Sequence, residues 1–351
     1  MGSKIKKLFL FGQVSKYSLE DFERKEMIAF DYYKSYTNYI NKHYPFPNGL
    51  VFEYVEKFSI NGSASYEKNK SVISINVGTI LRIYTLFYNI LSNFSIIESL
   101  DHLSKDHINI QNIYTYNDES IPYSYNYSYP LNRERIIIAE YMAMFAIKFI
   151  INHEAGHHIN GHLGYIHSIT SLKMIDPIRE DYSNIIPTLD LQTIEMDADA
   201  FAIAQLVRTL LLTTQDKFIS NYIDDFATFI RMFVSSIHLL FLLMDQGTPK
   251  SIFNTHTSNY LPALIRSILA VDCMEENLRI VFPNMINHDY LQEISTDSLL
   301  KANEYFIKIN GNKNFDSLED YDIAYYNRVI KKNWKQLRPK LQKYATVDLA
   351  K

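Results

Sequence analysis

The stretch IIIAEYMAMFAIKFIINHEAGH, residues 136–157, decides the fold of this chain. Its apolar residues run on with few interruptions, which predicts a helix buried within the core rather than one lying on the surface. The helix ends on His153 and His157, and Glu154 directly follows the first of them. Residues four apart on a helix share one face, with Cβ atoms about 5–6 Å apart. The two imidazoles are therefore predicted to face a single metal ion inside the protein.

A second acidic segment, Glu195-Met196-Asp197-Ala198-Asp199, supplies candidates for the third metal ligand. Glu195 and Asp199 are again four apart on a predicted helix, so both carboxylates face the same way. We predict that Glu195 binds the metal and that Asp199 accepts a hydrogen bond from the free ring N–H of a ligand histidine. The reverse arrangement, with Asp199 on the metal, also fits the spacing. Asp197 lies about 200° around the helix from both and is expected to point away from the metal.

Together these residues form the inventory of a catalytic zinc site. Zinc in such sites usually has three protein ligands and keeps one position for water. Glu154 is placed to take a proton from that water, as the general base of a metallopeptidase does. The alternative is an accidental motif on a surface helix, which arises in roughly one chain per hundred of this length. The buried run before the motif and the acidic helix after it favour the metal site.

The two segments resemble those of the gluzincin metallopeptidases. The pattern His-Glu-x-Gly-His at 153–157, with Glu-x-x-Ala-Asp-x-x-Ala at 195–202, is similar to that of the CAAX prenyl protease and HtpX group. In overall size, and without a clean membrane-spanning segment, the chain looks more like the soluble phage-exclusion peptidases of the Lit type. The resemblance covers residues 135–215 and implies Zn²⁺ as the cofactor. It implies that His153, His157 and Glu195 are the ligands.

The resemblance also draws attention to two later residues. The prenyl protease group has a His-Pro followed by an arginine that helps at the active site. Here His256 is followed by Thr257, and the next arginine is Arg266. We predict that His256 or Arg266 contacts the substrate or an oxyanion. A histidine that faces solvent or caps a helix is the alternative for His256.

The expected function is that of a soluble zinc endopeptidase that hydrolyses a peptide bond in a protein substrate, with Glu154 as the catalytic base. Resemblance to the Lit type implies a triggered bacterial anti-phage protease of abortive infection. It also implies host elongation factor Tu as the substrate and a phage-derived activator as a partner. Two alternatives remain open: a non-catalytic zinc-stabilised regulatory or binding protein, and a housekeeping protease that needs no activator.

Composition limits the classes of function and location. A net charge of −4 over 351 residues argues against a nucleic-acid-binding protein. The single cysteine, Cys273, can form no internal disulfide, which fits a reducing cytoplasm. The longest apolar stretches, Ile136–Ile151 and Val234–Met244, fall short of the roughly 18–20 clean apolar residues that span a bilayer. We therefore expect a cytoplasmic protein that has no membrane span and binds no nucleic acid.

The predicted fold class is α+β and mostly helical, with a zincin-like core. A small N-terminal sheet is expected over the active-site helix, followed by a helical C-terminal half. We predict one domain over residues 1–351, made of a strand-containing part (1–131), the metal-site helices (132–215) and a helical part (216–351). The predicted strands are Leu8–Val14, Leu50–Phe58 and Ser71–Val77. The predicted helices include Ser18–Asn41, Thr79–Asn93, 190–214, 217–245, 259–281, 298–309 and 317–344.

One strand and one loop have candidate roles in substrate binding. In zincins a sheet edge above the active-site helix holds a peptide as an added strand. Ser71–Val77 is the candidate edge, and an internal strand is the alternative. The tyrosine-rich segment 114–130 is either a substrate-contacting lid or a consequence of the chain's many tyrosines.

Two groups of charged or metal-binding side chains lie near the predicted site or at the C-terminus. His158, His162 and His167 are expected to have packing or surface roles rather than to form a second zinc site. The basic residues around Trp334 are predicted to form a solvent-exposed helix face. The alternative is that this face binds an acidic partner.

Overall fold

Nine α-helices and six strands make up the described part of the chain. The computed structural model describes residues 16–46, 48–57, 59–67, 70–115, 122–170, 174–175, 185–216, 218–223, 225–245, 261–282, 287–310 and 323–350. The helices are α1 (Lys16–His43), α2 (Val77–Asn93), α3 (Arg133–Ile159), α4 (His162–Thr170), α5 (Thr188–Thr214), α6 (Phe226–Met244), α7 (Ala263–Val281), α8 (His288–Asn310) and α9 (Ile323–Leu341). The strands are β1 (Leu50–Val55), β2 (Gly62–Glu67), β3 (Lys70–Asn76), β4 (His107–Thr115), β5 (Pro122–Pro130) and β6 (Met174–Ile175). The predicted α+β, mostly helical class is confirmed, whereas the single domain stays a prediction.

The N-terminal sheet has four strands in the order β1-β3-β2-β6. β1 runs parallel to β3, with Leu50 opposite Ser71, and β2 runs antiparallel to β3, with Gly62 opposite Ile75. The prediction that Ser71–Val77 forms the edge of the sheet is therefore wrong, because β3 has a neighbouring strand on both sides. The predicted strand Leu8–Val14 lies outside the described residues.

β3 is an internal strand because β2 pairs with its second edge. The sequence of β2 is typical of a turn rather than of a strand. Its residues are Gly-Ser-Ala-Ser-Tyr-Glu, and the preceding Asn61-Gly62 pair is typical of a tight turn. Small side chains are needed here because β2 lies directly against α3. A Cβ atom added to Gly62 would come within 3.3 Å of the Ile150 side chain. The close approach of sheet and helix therefore explains why this strand carries so little apolar signal.

The helix that carries the motif, α3, is the central element of the core. It begins at Asn132, whose side chain accepts hydrogen bonds from the backbone N–H groups of Glu134 and Arg135 and so caps the helix. Its second half is buried on every side, as a helix without a polar face requires. Gly156 lets α5 approach closely, since an added Cβ would lie 3.2 Å from the Phe201 ring and 3.4 Å from the backbone at Ala198. This contact brings the two predicted ligand helices together.

The C-terminal helices follow the predicted order, and polar caps shift the starts of α6 and α8 from their predicted positions. α6 begins at Phe226 rather than at residue 217, because the Asp225 side chain accepts a hydrogen bond from the N–H of Thr228 and caps the helix there. α8 begins at His288, ten residues earlier than predicted, where Asn287 accepts a hydrogen bond from the N–H of Asp289. Polar caps rather than the apolar pattern set both boundaries.

Two helices, α3 and α6, are long and apolar enough to cross a membrane by length and composition alone. In the fold, 72% of the apolar window of α3 and 78% of that of α6 are buried against other parts of the chain. Core helices of soluble proteins pass the same test. The cytoplasmic location stays a prediction.

The tyrosine-rich segment forms an antiparallel hairpin of β4 and β5 over the described residues. Tyr127 and Tyr129 are buried in the core, where Tyr129 packs on Tyr88 at 4.6 Å between ring centroids and Tyr127 on Phe22 at 5.6 Å. For these two tyrosines the role is packing rather than contact with a substrate. Residues 116–121 lie outside the described residues.

The C-terminal segment (residues 342–350) folds back on the end of α3. The backbone N–H of Thr346 donates to the carbonyl of Ile159 at 2.8 Å, and the Thr346 hydroxyl donates to the same oxygen at 3.2 Å. Gly161, between α3 and α4, has a φ of +80°, and an added Cβ would lie 2.5 Å from the nitrogen of Ala345. Only glycine fits this turn without strain. The C-terminal segment thus closes over the turn that follows the second histidine of the motif.

Candidate metal centre

Three buried side chains from α3 and α5 converge on one point. His153 and His157 have their Nε2 atoms 3.1 Å apart. A Glu195 carboxylate oxygen lies 3.3 Å from Nε2 of His153, and the other lies 3.6 Å from Nε2 of His157. All three residues are at least 93% buried, with exposures of 7%, 1% and 7%. This His-His-Glu group can hold a metal ion.

The spacing and the chemistry of these donors fit a small divalent cation. Ligands at zinc–donor distances of about 2.0–2.1 Å in a tetrahedron lie about 3.3 Å from one another, close to the three separations observed. Oε2 of Glu195 is buried and has no hydrogen-bond partner. A buried carboxylate oxygen without a hydrogen bond is costly unless a cation lies beside it.

The first ligand histidine is held from behind by a carboxylate and an arginine. Asp199 accepts a hydrogen bond from Nδ1 of His153 at 2.8 Å, and Arg266 donates to both Asp199 oxygens at 2.8 Å each. Burial alone would raise the pKa of Asp199, but Arg266 and His153 lower it below its usual value. The Nδ1 proton of His153 therefore faces an ionised carboxylate, and its Nε2 faces Glu195 and His157.

The surroundings shift the pKa values of the two histidines in opposite directions. Burial alone lowers the pKa of His153, but the nearby carboxylates of Asp199 and Glu195 raise it to about 10. Burial, and then the charge on His153, holds the pKa of His157 well below its usual value.

The second ligand histidine is held by another histidine. Nδ1 of His157 lies 3.0 Å from Nδ1 of His162, the first residue of α4. Nε2 of His162 lies 3.0 Å from Oδ2 of Asp197, which also accepts a hydrogen bond from Asn160 at 2.6 Å. Asp197 does point away from the metal centre, as its position on α5 predicts. The contact between His162 and His157 was not foreseen from the sequence.

Glu154 lies next to the ligands but is not one of them. It is 5% exposed, and β2 passes so close that a Cβ added to Gly62 would come within 2.7 Å of Oε1 of Glu154. Because Gly62 has no side chain, it leaves room for the Glu154 carboxylate at this position.

A cavity of about 140 Å³ opens beside the metal centre. Glu195, Asp199 and Arg266 line one end of it. Apolar side chains of α5, α7 and α9 form much of the rest, including Met196, Leu269 and Ile330.

The remaining predicted residues fall into three groups. Arg266 reaches the centre through Asp199 and lines the cavity, and its contact with a substrate stays a prediction. His256 lies outside the described residues. His158 points to the sheet, with Nε2 3.1 Å from the carbonyl of Val72, and His167 is exposed. Over the part of the chain that the structure describes, no second group of metal-binding side chains is found.

The chain matches no protein-family model, no curated protein and no solved structure.

Proposed function

We propose that this protein is a zinc-dependent endopeptidase that hydrolyses a peptide bond in a protein substrate. The observation that carries the proposal is the convergence of His153, His157 and Glu195, together with a buried glutamate, Glu154, directly after the first of these histidines in the chain. A purely structural site has no use for a carboxylate next to the metal ligands. Zinc suits two imidazoles and one carboxylate, and a catalytic site of this composition keeps a coordination position open.

In this mechanism the protein's main contribution is to move one proton. A zinc ion in the centre supplies Lewis acidity, which lowers the pKa of water to about 7 and polarises a carbonyl. Glu154 takes the proton from the attacking water and passes it to the nitrogen of the leaving amine as the peptide C–N bond breaks. Arg266 and Asp199 keep the ring of His153 in place throughout.

The buried position of the centre favours a substrate in extended form. A chain segment can add to a sheet edge through backbone hydrogen bonds that depend little on sequence. β6 pairs with β2 only at Ala64 and Ser65. Gly62 and Ser63 therefore have β3 as their one strand partner among the described residues. We propose that the substrate adds as a strand next to these two residues, where Gly62 lies close to Glu154.

Replacing Gly62 by alanine is expected to lower kcat about 10–100-fold without unfolding the protein. The added Cβ would displace the Glu154 carboxylate, which is the end of a flexible side chain, and a shift of about 1 Å can cost up to 10²-fold in rate. Steady-state kinetics and zinc content of the purified variant are the measurements. Ser63→Ala is the matched control, because neighbouring side chains of a strand point to opposite faces. A Gly62→Ala enzyme with full activity would contradict the proposed position of Glu154.

We further propose that the enzyme acts in the bacterial cytoplasm as a triggered anti-phage protease. The support is the similarity of the motif segments to the Lit type of phage-exclusion peptidase. It suggests host elongation factor Tu as the substrate and a phage-derived component as the activator. The single cysteine agrees with a reducing compartment.

The proposed function is tested on the purified full-length chain by metal analysis together with detection of new peptide termini. We expect one zinc per chain and cleavage that stops when the metal is chelated and returns when zinc is added. Elongation factor Tu, with and without a phage lysate, and unfolded casein are the substrates. A cut in elongation factor Tu only with the lysate supports the triggered protease. Casein cleavage without any activator supports the housekeeping alternative. Bound zinc with no cleavage of either substrate would leave the non-catalytic binding protein.

A further inference from the structure

His162 is a fully buried histidine for which the proposed mechanism has so far given no role. It is 0% exposed and touches the metal centre only through His157. Its other ring nitrogen is bound to Asp197, a carboxylate that makes no contact with the metal ligands. His157, His162 and Asp197 thus form a line of side chains that starts at the metal centre.

These three side chains differ in which of their atoms can donate and which can accept a hydrogen bond. A carboxylate oxygen accepts and does not donate, so the proton between Asp197 and His162 belongs to Nε2 of His162. With its single proton on Nε2, the ring of His162 has a lone pair on Nδ1, which can accept a proton from Nδ1 of His157. Nε2 of His157 is left with its lone pair, and this is the atom that faces His153 and Glu195.

The fold holds His162 in this position from two sides. Asn160 donates to the Asp197 oxygen that His162 also contacts, which keeps that carboxylate in place. Gly161 turns the chain so that α4 starts at His162, and the C-terminal segment packs against this turn. These contacts hold the ring of His162 in one position next to His157.

We propose that His162, oriented by Asp197, is the positioning residue for the second metal ligand. It selects the tautomer of His157 that can bind a metal through Nε2 and fixes the angle of that ring. Asp199 does the same for His153, so each ligand histidine has its own support from outside the metal centre. This inference rests on the proposed metal centre and adds a residue to it.

The test is the metal affinity of His162→Phe, measured by competition with a chelator for zinc and for cobalt. Phenylalanine keeps the ring volume but removes both ring nitrogens. Loss of such a support typically costs 10–100-fold in metal affinity, and we expect a loss in that range. His158→Phe is the matched control: His158 is also buried, is next to His157 in sequence and bonds one carbonyl, but faces the sheet. Its variant should bind zinc as the wild type does.

A second variant separates positioning from a general loss of stability. Asp197→Asn keeps the shape, but the amide can either donate to or accept from His162, so the direction of the line is no longer fixed. We expect the ¹⁵N chemical shifts of His157 to change from one tautomer to a mixture in metal-free protein, and zinc affinity to fall about tenfold or more. A single unchanged tautomer together with wild-type zinc affinity in Asp197→Asn would overturn the inference.

The outcomes for His162 and for the metal centre itself are distinguishable. If the wild type binds no zinc, the proposed function fails. If the wild type binds zinc and both variants bind it equally well, the role of His162 fails while the proposed function stands.

Discussion

Glu154→Gln is expected to lower kcat by about 10²–10⁴-fold and to leave zinc bound. Glutamine has nearly the shape of glutamate but cannot accept the proton of the attacking water, so only the proton transfer is lost. The metal should remain because the His-His-Glu group does not include this residue. Turnover of the cleaved substrate and metal content are measured on the same preparation.

A control for this variant lies at the other end of the same helix. Glu134→Gln is the identical substitution in the first turn of α3, far along the helix from the motif. It should leave kcat unchanged and reduce stability by only about 0.3–1 kcal/mol through the helix dipole. Full activity of Glu154→Gln would refute the catalytic mechanism and favour a zinc-stabilised binding protein. Loss of zinc from Glu154→Gln would instead mean that this carboxylate is itself a ligand.

Arg135→Met is expected to lower the free energy of unfolding by about 3–5 kcal/mol. The side chain of Arg135 is fully buried near the start of α3 and ties the end of α2 to the chain that follows it. It donates hydrogen bonds to the carbonyls of Leu91, Phe94, Leu100 and Leu103 and to the hydroxyl of Ser95. Each buried carbonyl left without a donor costs about 1–3 kcal/mol, although these costs do not simply add.

Urea denaturation followed by circular dichroism measures this loss. Arg133→Met is the control, because Arg133 is exposed two residues earlier on the same helix and its loss should change stability by no more than about 0.5 kcal/mol. Equal stability of the Arg135→Met variant and the wild type would show that water replaces the guanidinium without cost.

The grouping of His153, His157 and Glu195 could be foreseen because helical spacing determines which residues share a face. His153 and His157 share one face of α3, and Glu195 and Asp199 share one face of α5. Two helices that each present two such groups can meet in few ways, and the buried run before the motif showed which helix was inside. The role of Asp199 as the hydrogen-bond partner of His153 follows from the same spacing and from the need of a metal-bound imidazole for an acceptor.

His162 could not be foreseen by the same means. It follows His157 by five positions, which on a continuous helix would place it on another face. The chain leaves the helix at Asn160 and turns at Gly161, so helical periodicity no longer applies to His162. A glycine directly after a His-Glu-x-x-His helix, followed by another histidine, is the signal that could have suggested it.

The sheet was only partly foreseeable because its most important strand is its least apolar. β2 lies against α3 at a distance that excludes larger side chains, so its sequence shows glycine, alanine and serine instead of the usual alternation. Hydrophobic patterns identify buried strands by their bulky apolar residues. They do not identify a buried strand in which only small side chains fit. The wrong choice of β3 as the edge follows from this omission alone.

The contact of the C-terminal segment with the end of α3 has a consequence for biosynthesis. Thr346 is made 187 residues after Ile159, the residue to which it binds. A polypeptide still growing on the ribosome therefore lacks the last support for the turn that carries His162. We expect the centre to reach its final geometry, and its full metal affinity, only once translation has passed this point.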